Sequence, residues 1–167
     1  MKSLVLAGLI AFSGAALAHG GHGHGHGASS TDWQARAAQA KTSQTVDVSA
    51  CWIRALPAPA PSAGYFLVKN AGQHDVKLQG AASATYGMVM LHQTTQQDGM
   101  SKMSETHDIV IPAGGELEFK PGGYHAMLEK ADTPPAVGSQ VAMDFLFDSG
   151  EKASAQCEVK PANTKAH

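Results

Sequence analysis

Nine histidines and seven methionines stand against only two cysteines in this 167-residue chain. Imidazole and thioether are both metal-capable, so their placement matters more than their number. In the stretch 85–93, TYGMVMLHQ, side chains of an extended strand alternate between faces. Met88, Met90 and His92 therefore share one face, while Val89 and Leu91 share the other and read as core. Gln97-Asp98-Gly99 is a hairpin signal, and the returning strand brings Met103 near His92. His125-Ala126-Met127 again puts a histidine and a methionine on one face, next to the tight turn Pro121-Gly122-Gly123. Two histidines with one to three methionines at a sheet edge form a recognisable ligand set. Thioether sulfur is soft and uncharged, which suits Cu(I) far better than zinc, calcium or magnesium. A blue-copper centre would need a cysteine thiolate, and catalytic zinc or non-haem iron would call for a carboxylate partner. The donors are those of a carrier, with loose geometry and ligands that exchange one at a time, and not those of an enzyme. Met88 and Met143 read instead as core fillers, and His74 and His107, each beside an aspartate, as surface histidines.

These donors need strands to position them, and the chain supplies strands. From Thr45 onward short apolar or alternating segments recur, separated by Gly, Pro, Asn and Asp: Val46–Ile53, Tyr65–Val68, Val76–Leu78, 85–93, Met100–Ser104, Ile109–Ile111, Glu116–Phe119, Tyr124–Leu128, Gln140–Phe147 and Ser154–Val159. Nine or ten strands at this spacing predict an all-β sandwich or barrel. Hydrophobic residues are 43%, enough for one core, and charged residues only 16%. A formal charge of −2 offers no basic field for phosphates, which argues against nucleic acid as a partner.

Residues 1–18, MKSLVLAGLIAFSGAALA, have one basic residue, an apolar run and the small-x-small ending of a cleaved secretory signal. Once cleaved, the chain has no segment for stable membrane insertion, and it is read as a monomer. Residues 19–44 form a tail and linker, 45–160 the folded domain and 161–167 a short C-terminal tail. The stretch 19–27, HGGHGHGHG, is too rich in glycine for a stable helix or strand and is expected to be flexible. Residues 28–44 are read as a short helix or a linker. In an oxidising compartment Cys51 and Cys157, on strand-like stretches near opposite ends of the domain, read as a disulfide joining the first and last strands. A thiolate metal ligand is the alternative.

The spacing of the four donors carries a resemblance. His92, ten residues, Met103, twenty-one residues, His125, one residue, Met127 is similar to the H-x10-M-x21-H-x-M signature of the periplasmic copper chaperone PCu(A)C family. The words MLHQTTQQDGMSKM and IPAGGELEFKPGGYHAML also resemble that family, over a span from about Val46 to Val159. The resemblance implies a cupredoxin-like Greek-key β-barrel with one accessible Cu(I) held by His92, Met103, His125 and Met127. It further implies a periplasmic chaperone that delivers copper to the copper-bearing subunit of cytochrome c oxidase, alongside a Sco-type thiol copper protein. Members often carry a methionine after the first histidine. Gln93 stands there in this chain, and Met90 on the same face is the candidate substitute.

The tail suggests a second metal site. Cleavage after Ala18 would make His19 the first residue, whose amine and imidazole could chelate Cu(II), with His22, His24 or His26 adding nitrogen. Nitrogen donors of this kind favour Cu(II), Ni(II) or Zn(II) over Cu(I). Two other roles use the same donors or fold: copper sequestration in the periplasm, and electron transfer by a cupredoxin, which would require a ligand thiolate.

Overall fold

The computed structural model describes residues 30–165. The predicted signal at 1–18, the histidines His19, His22, His24 and His26, and His167 lie outside the described residues. One helix, α1 (Ser30–Gln39), precedes eleven strands: β1 (Lys41–Thr42), β2 (Val46–Arg54), β3 (Ser62–Asn70), β4 (Val76–Ala82), β5 (Met88–Gln97), β6 (Met100–Glu105), β7 (Ile109–Ile111), β8 (Glu116–Phe119), β9 (Tyr124–Glu129), β10 (Gln140–Phe147) and β11 (Glu151–Lys160). Hydrogen bonding runs in the order β6-β5-β9-β3-β2-β11-β10-β4-β7, with β1 on β11 and β8 on β3. The sheet folds over a main core that gathers Val89 and Leu91 of β5 with Phe66, Phe119, Phe145 and Phe147. Alternation does the sorting: in β10, Val141, Met143 and Phe145 point inward while Gln140 and Ala142 are exposed. Asp98 and Gly99 both have positive φ, 52° and 77°, as the tight turn between β5 and β6 requires.

Simple alternation fails at one place in β2. Val46 and Val48 point inward, but Ala50 is exposed with φ 50°. The register of β2 on β3 shifts between Ser49 and Trp52. This is a β-bulge, which adds a residue to one strand and reverses the phase of the residues beyond it. Past the bulge, Cys51 and Ile53 pack with the core while Trp52 and Arg54 turn to the outer face. The bulge thus aims Cys51 at Cys157 of the parallel neighbour β11, and the two form a disulfide with Cα atoms 4.4 Å apart. Both cysteines are consumed, so the thiolate-ligand alternative is excluded.

The segment expected as a linker or short helix is α1, and it docks. Trp33 and Ala37, one helical turn apart, are buried against Ala82 and Leu146. Gln34 Nε2 donates to the Ser83 carbonyl at 2.9 Å, and the Arg36 guanidinium lies 4.3 Å from the centre of the Trp33 ring. Gly80 makes room for the indole, because a Cβ there would stand 2.4 Å from Trp33 Cε2.

This packing sets two expected outcomes. Gly80→Ala in a Trp52→Phe background lifts the indole off the sheet, so Trp33 emission shifts to the red, with a stability loss of about 1–3 kcal/mol. The Cys51→Ala/Cys157→Ala variant frees a loop spanning 106 residues and loses about 2–5 kcal/mol in urea unfolding. An unshifted emission or an unchanged urea midpoint refutes the respective reading.

Candidate metal centre

The site forms where three antiparallel strands meet. Along β5 and β9 the register pairs Met90 with Met127 and His92 with His125, while Leu91 faces Ala126 on the core side. Pairs on one face of such strands lie close enough for their side chains to touch. On the other side of β5, His92 pairs with Glu105 and Thr94 with Met103. Met103 is therefore a diagonal neighbour of His92, and it reaches past Thr94 to His125.

At that contact His125 Nε2 is 3.2 Å from Met103 Sδ. The other ring nitrogen, Nδ1, is 3.0 Å from the Gly123 carbonyl oxygen. A carbonyl can only accept, so Nδ1 carries the proton, and in the neutral ring Nε2 then carries a lone pair. A thioether has no proton to donate. Two lone-pair donors thus stand side by side, at a separation that one metal ion with bonds of roughly 2.0–2.3 Å could span. Fixing Nδ1 through a backbone carbonyl is the usual way to orient an imidazole ligand.

The two imidazoles are nearly parallel, with ring centroids 5.9 Å apart. His92 Nδ1 is buried and makes no hydrogen bond of good geometry among the described residues, although the Met90 backbone lies near enough to favour the protonated ring. Burial above all, then the neighbouring His125, lowers the His92 pKa, and Glu105 opposes them. The downward shift favours the neutral ring, the form that can donate to a metal.

Met103, His125 and Met127 line one open pocket of about 260 Å³, together with Arg54, Tyr65 and Thr94. His92 itself does not line this pocket; it lies two residues along β5 from Thr94. Burial is graded: His125 is 7% exposed and Met103 52%. Met90 is half-buried on the same face as His92, opposite Met127. Met143 is core as expected, at 2% exposure. Met88, expected in the core, is half-buried on the outer face opposite Glu129, because it shares the phase of Met90 and His92. His107 is paired with Glu105 at 3.6 Å, and His74 is exposed. Among the described residues no three or more His, Cys, Asp and Glu gather as a metal group. The donor set is thus imidazole and thioether, the set that favours a soft ion such as Cu(I).

Arg54, Tyr65 and Trp52 were not apparent as neighbours of the site from sequence. Trp52 and Tyr65 are cross-strand partners with ring centroids 4.5 Å apart, and Tyr65 is 6.5 Å from His125. The only available signal was Trp-x-Arg after the bulge, and the bulge itself reverses which of those residues face outward.

The assigned tautomer is testable. In nitrogen-15 NMR of the metal-free protein near neutral pH, His125 shows its proton on Nδ1 and a pyridine-like Nε2. A proton on Nε2 would contradict the geometry.

The sequence profile of the LpqE-like lipoprotein family matches residues 46–159, and the chain belongs to that family. It is 31% identical over 121 residues to the protein Lxx21020 of Leifsonia xyli subsp. xyli, covering 72% of each chain. Among solved structures it is similar to the apo PmoF2 PCuAC domain, with TM-score 0.61 and 20% identity over 74% of this chain and 95% of that one. It is also similar to CuI-DR1885 from Deinococcus radiodurans, with TM-score 0.57 and 27% identity over 80% and 89%. The fold is therefore the all-β, cupredoxin-like one of PCuAC domains, as the family resemblance implied. Both cysteines of the sequence are in the disulfide, so neither is free to carry a lipid. Among the described residues no helix is long and apolar enough to cross a membrane.

Proposed function

We propose that this member of the LpqE-like family is an extracytoplasmic copper-binding chaperone that holds Cu(I) through His92, Met103, His125 and Met127. The observation that carries the reading is the contact of His125 Nε2 with Met103 Sδ, while Nδ1 is engaged by Gly123. A lone pair facing sulfur has no partner until a soft cation lies between them. The Deinococcus radiodurans relative, by its name a copper(I) form, supports the choice of metal. An engaged disulfide supports an oxidising compartment, which we take to be the periplasm. The protein is a carrier and not an enzyme: all four donors are neutral, and none is a general base paired with a nucleophile.

The delivery target in this reading is the copper-bearing subunit of cytochrome c oxidase, directly or through a Sco-type thiol copper protein. The chaperone acts as a monomer. Met90 stands in for the auxiliary thioether missing at Gln93. The tail histidines His19, His22, His24 and His26 collect Cu(II) ahead of the Cu(I) site. Electron transfer of the blue-copper kind is disfavoured, because it needs a ligand thiolate and both cysteines are bridged.

A Cu(I) competition titration tests the site. The Met103→Ala/Met127→Ala variant loses at least about a hundredfold in Cu(I) affinity, beyond the 10–100-fold typical of outer-shell changes. Removal of residues 19–27 lowers Cu(II) stoichiometry and leaves Cu(I) affinity unchanged. Unaltered affinity in the double variant sinks the ligand assignment. Deletion in copper-poor medium lowers oxidase activity, whereas copper sensitivity alone would point to sequestration.

A further inference from the structure

The pocket beside the donors has a second wall that ligation does not use. Arg54, Ala63, Met127 and Met90 form one cross-strand row on β2, β3, β9 and β5. Ala63 is the small member of that row. It leaves open space between the Arg54 guanidinium and the Met127 thioether, and all three residues line the pocket.

Arg54 is held but not neutralised. It lies 5.2 Å from the centre of the Tyr65 ring and donates from one Nη to the Tyr65 hydroxyl. Tyr65 is 3% exposed, so this anchor is rigid. A guanidinium has five N–H groups, and among the described residues Tyr65 is the one hydrogen-bond partner of Arg54. Among the described residues Arg54 makes no ion pair. The nearest basic neighbour in register, Lys160, is bound to Glu158 at 3.6 Å. No acidic residue lines the pocket.

We propose that Arg54 is an anion subsite of the metal pocket, which receives the negatively charged donor of the molecule that exchanges copper with this protein. This rests on the Cu(I) reading above. The four protein donors are neutral, so ligation leaves the charge of the metal in place; Glu105 stands beside His92 on the β6 side, and Arg54 adds a positive charge on the β2 side of the pocket. Copper passes through a mixed complex in which the incoming ligand binds before the outgoing ones leave. A thiolate or carboxylate entering through the open side meets both charges at once, whereas a neutral donor gains nothing from Arg54. The exchange moves no electrons. Cu(I) leaves with the acceptor, and the histidines and methionines return to their free neutral forms. Arg54 is thus a specificity-determining residue that does not touch the metal.

Stopped-flow removal of Cu(I) from the full-length protein tests this with two chelators that share donor atoms and differ in charge. Bathocuproine disulfonate is anionic and neocuproine is neutral. Arg54→Gln slows removal by the anionic chelator about three- to tenfold, the scale of losing a steering charge. It leaves removal by the neutral chelator within about twofold. Arg54→Lys, which keeps the charge, restores much of the rate, and raised salt erases the difference between Arg54 and Gln. A two-cysteine peptide as acceptor separates the sources of the anion. Slowing there as well assigns the subsite to a protein acceptor's thiolate, and slowing confined to the disulfonate assigns it to small anionic ligands. Equal slowing of both chelators, or no slowing in a variant that loads normally, overturns the subsite. Failure of the unaltered protein to load Cu(I) overturns the copper reading instead.

Discussion

The register of β5 against β9 is the constraint on which the site depends. Strand side chains have a period of two, so a slip of one residue would send His92 and Met90 inward and Val89 and Leu91 out. The pairs that prevent this are apolar. Val89 faces Leu128 and Leu91 faces Ala126, and all four are at most 4% exposed. On the far side of β9, Gly64 lets β3 approach closely, since a Cβ there would meet Leu128 Cδ1 at 3.2 Å. The core face of the sheet thereby fixes the outer face, and the candidate donors on β5 and β9 are positioned by residues on the opposite face.

The same logic operates at the other end of the row, through an exception to it. Had β2 kept strict alternation, Cys51 and Ile53 would face solvent, and Trp52 and Arg54 would face the core. An indole would fit there, but an unpaired guanidinium would be costly to bury. One extra residue at Ala50 corrects the phase. The φ of 50° at Ala50 is unfavourable for a residue with a Cβ. The covalent link from Cys51 to Cys157 and the adjoining β2–β11 pairing hold the bulge in place. Disulfide, bulge and the Arg54 wall of the pocket are therefore one structural unit.

This division explains what could be read from the chain. The strands were legible because Gly, Pro and Asn-type turns bracket them, and because Met143-Phe145-Phe147 and Val89-Leu91 alternate plainly. The disulfide was legible from two cysteines near opposite ends of a secreted domain. His92, Met103, His125 and Met127 could be named from their spacing, but their contacts could not. The partner of Met103 is His125 rather than His92, because the turn at Asp98-Gly99 pairs Met103 with Thr94. Arg54 was hidden for a different reason: a single bulged residue decides its face, and no periodic pattern encodes it. The docking of α1 was equally hidden, since a lone Trp33 matters only when Gly80, almost fifty residues later, leaves room for it.

The site is also asymmetric in how firmly its donors are held. His125 sits on β9, between β5 and β3, is 7% exposed and has its Nδ1–H bound to Gly123. Met103 sits on the edge strand β6, in which every residue is exposed. Edge strands lack a second row of backbone hydrogen bonds, and local opening is easiest where burial is least. Under the copper reading, the imidazole on β9 is the donor that persists, and the thioether on β6 is the one that can leave without disturbing the core. Ligand exchange then starts on the side where Met103 meets solvent. Arg54 and Thr94 line the same pocket as Met103, so a replacement donor taking the place of Met103 would meet them. A carrier needs affinity and release from the same four residues. Here the two demands are assigned to different strands, so a change in the exposed hairpin can tune release while the β5–β9 register keeps the histidines in place.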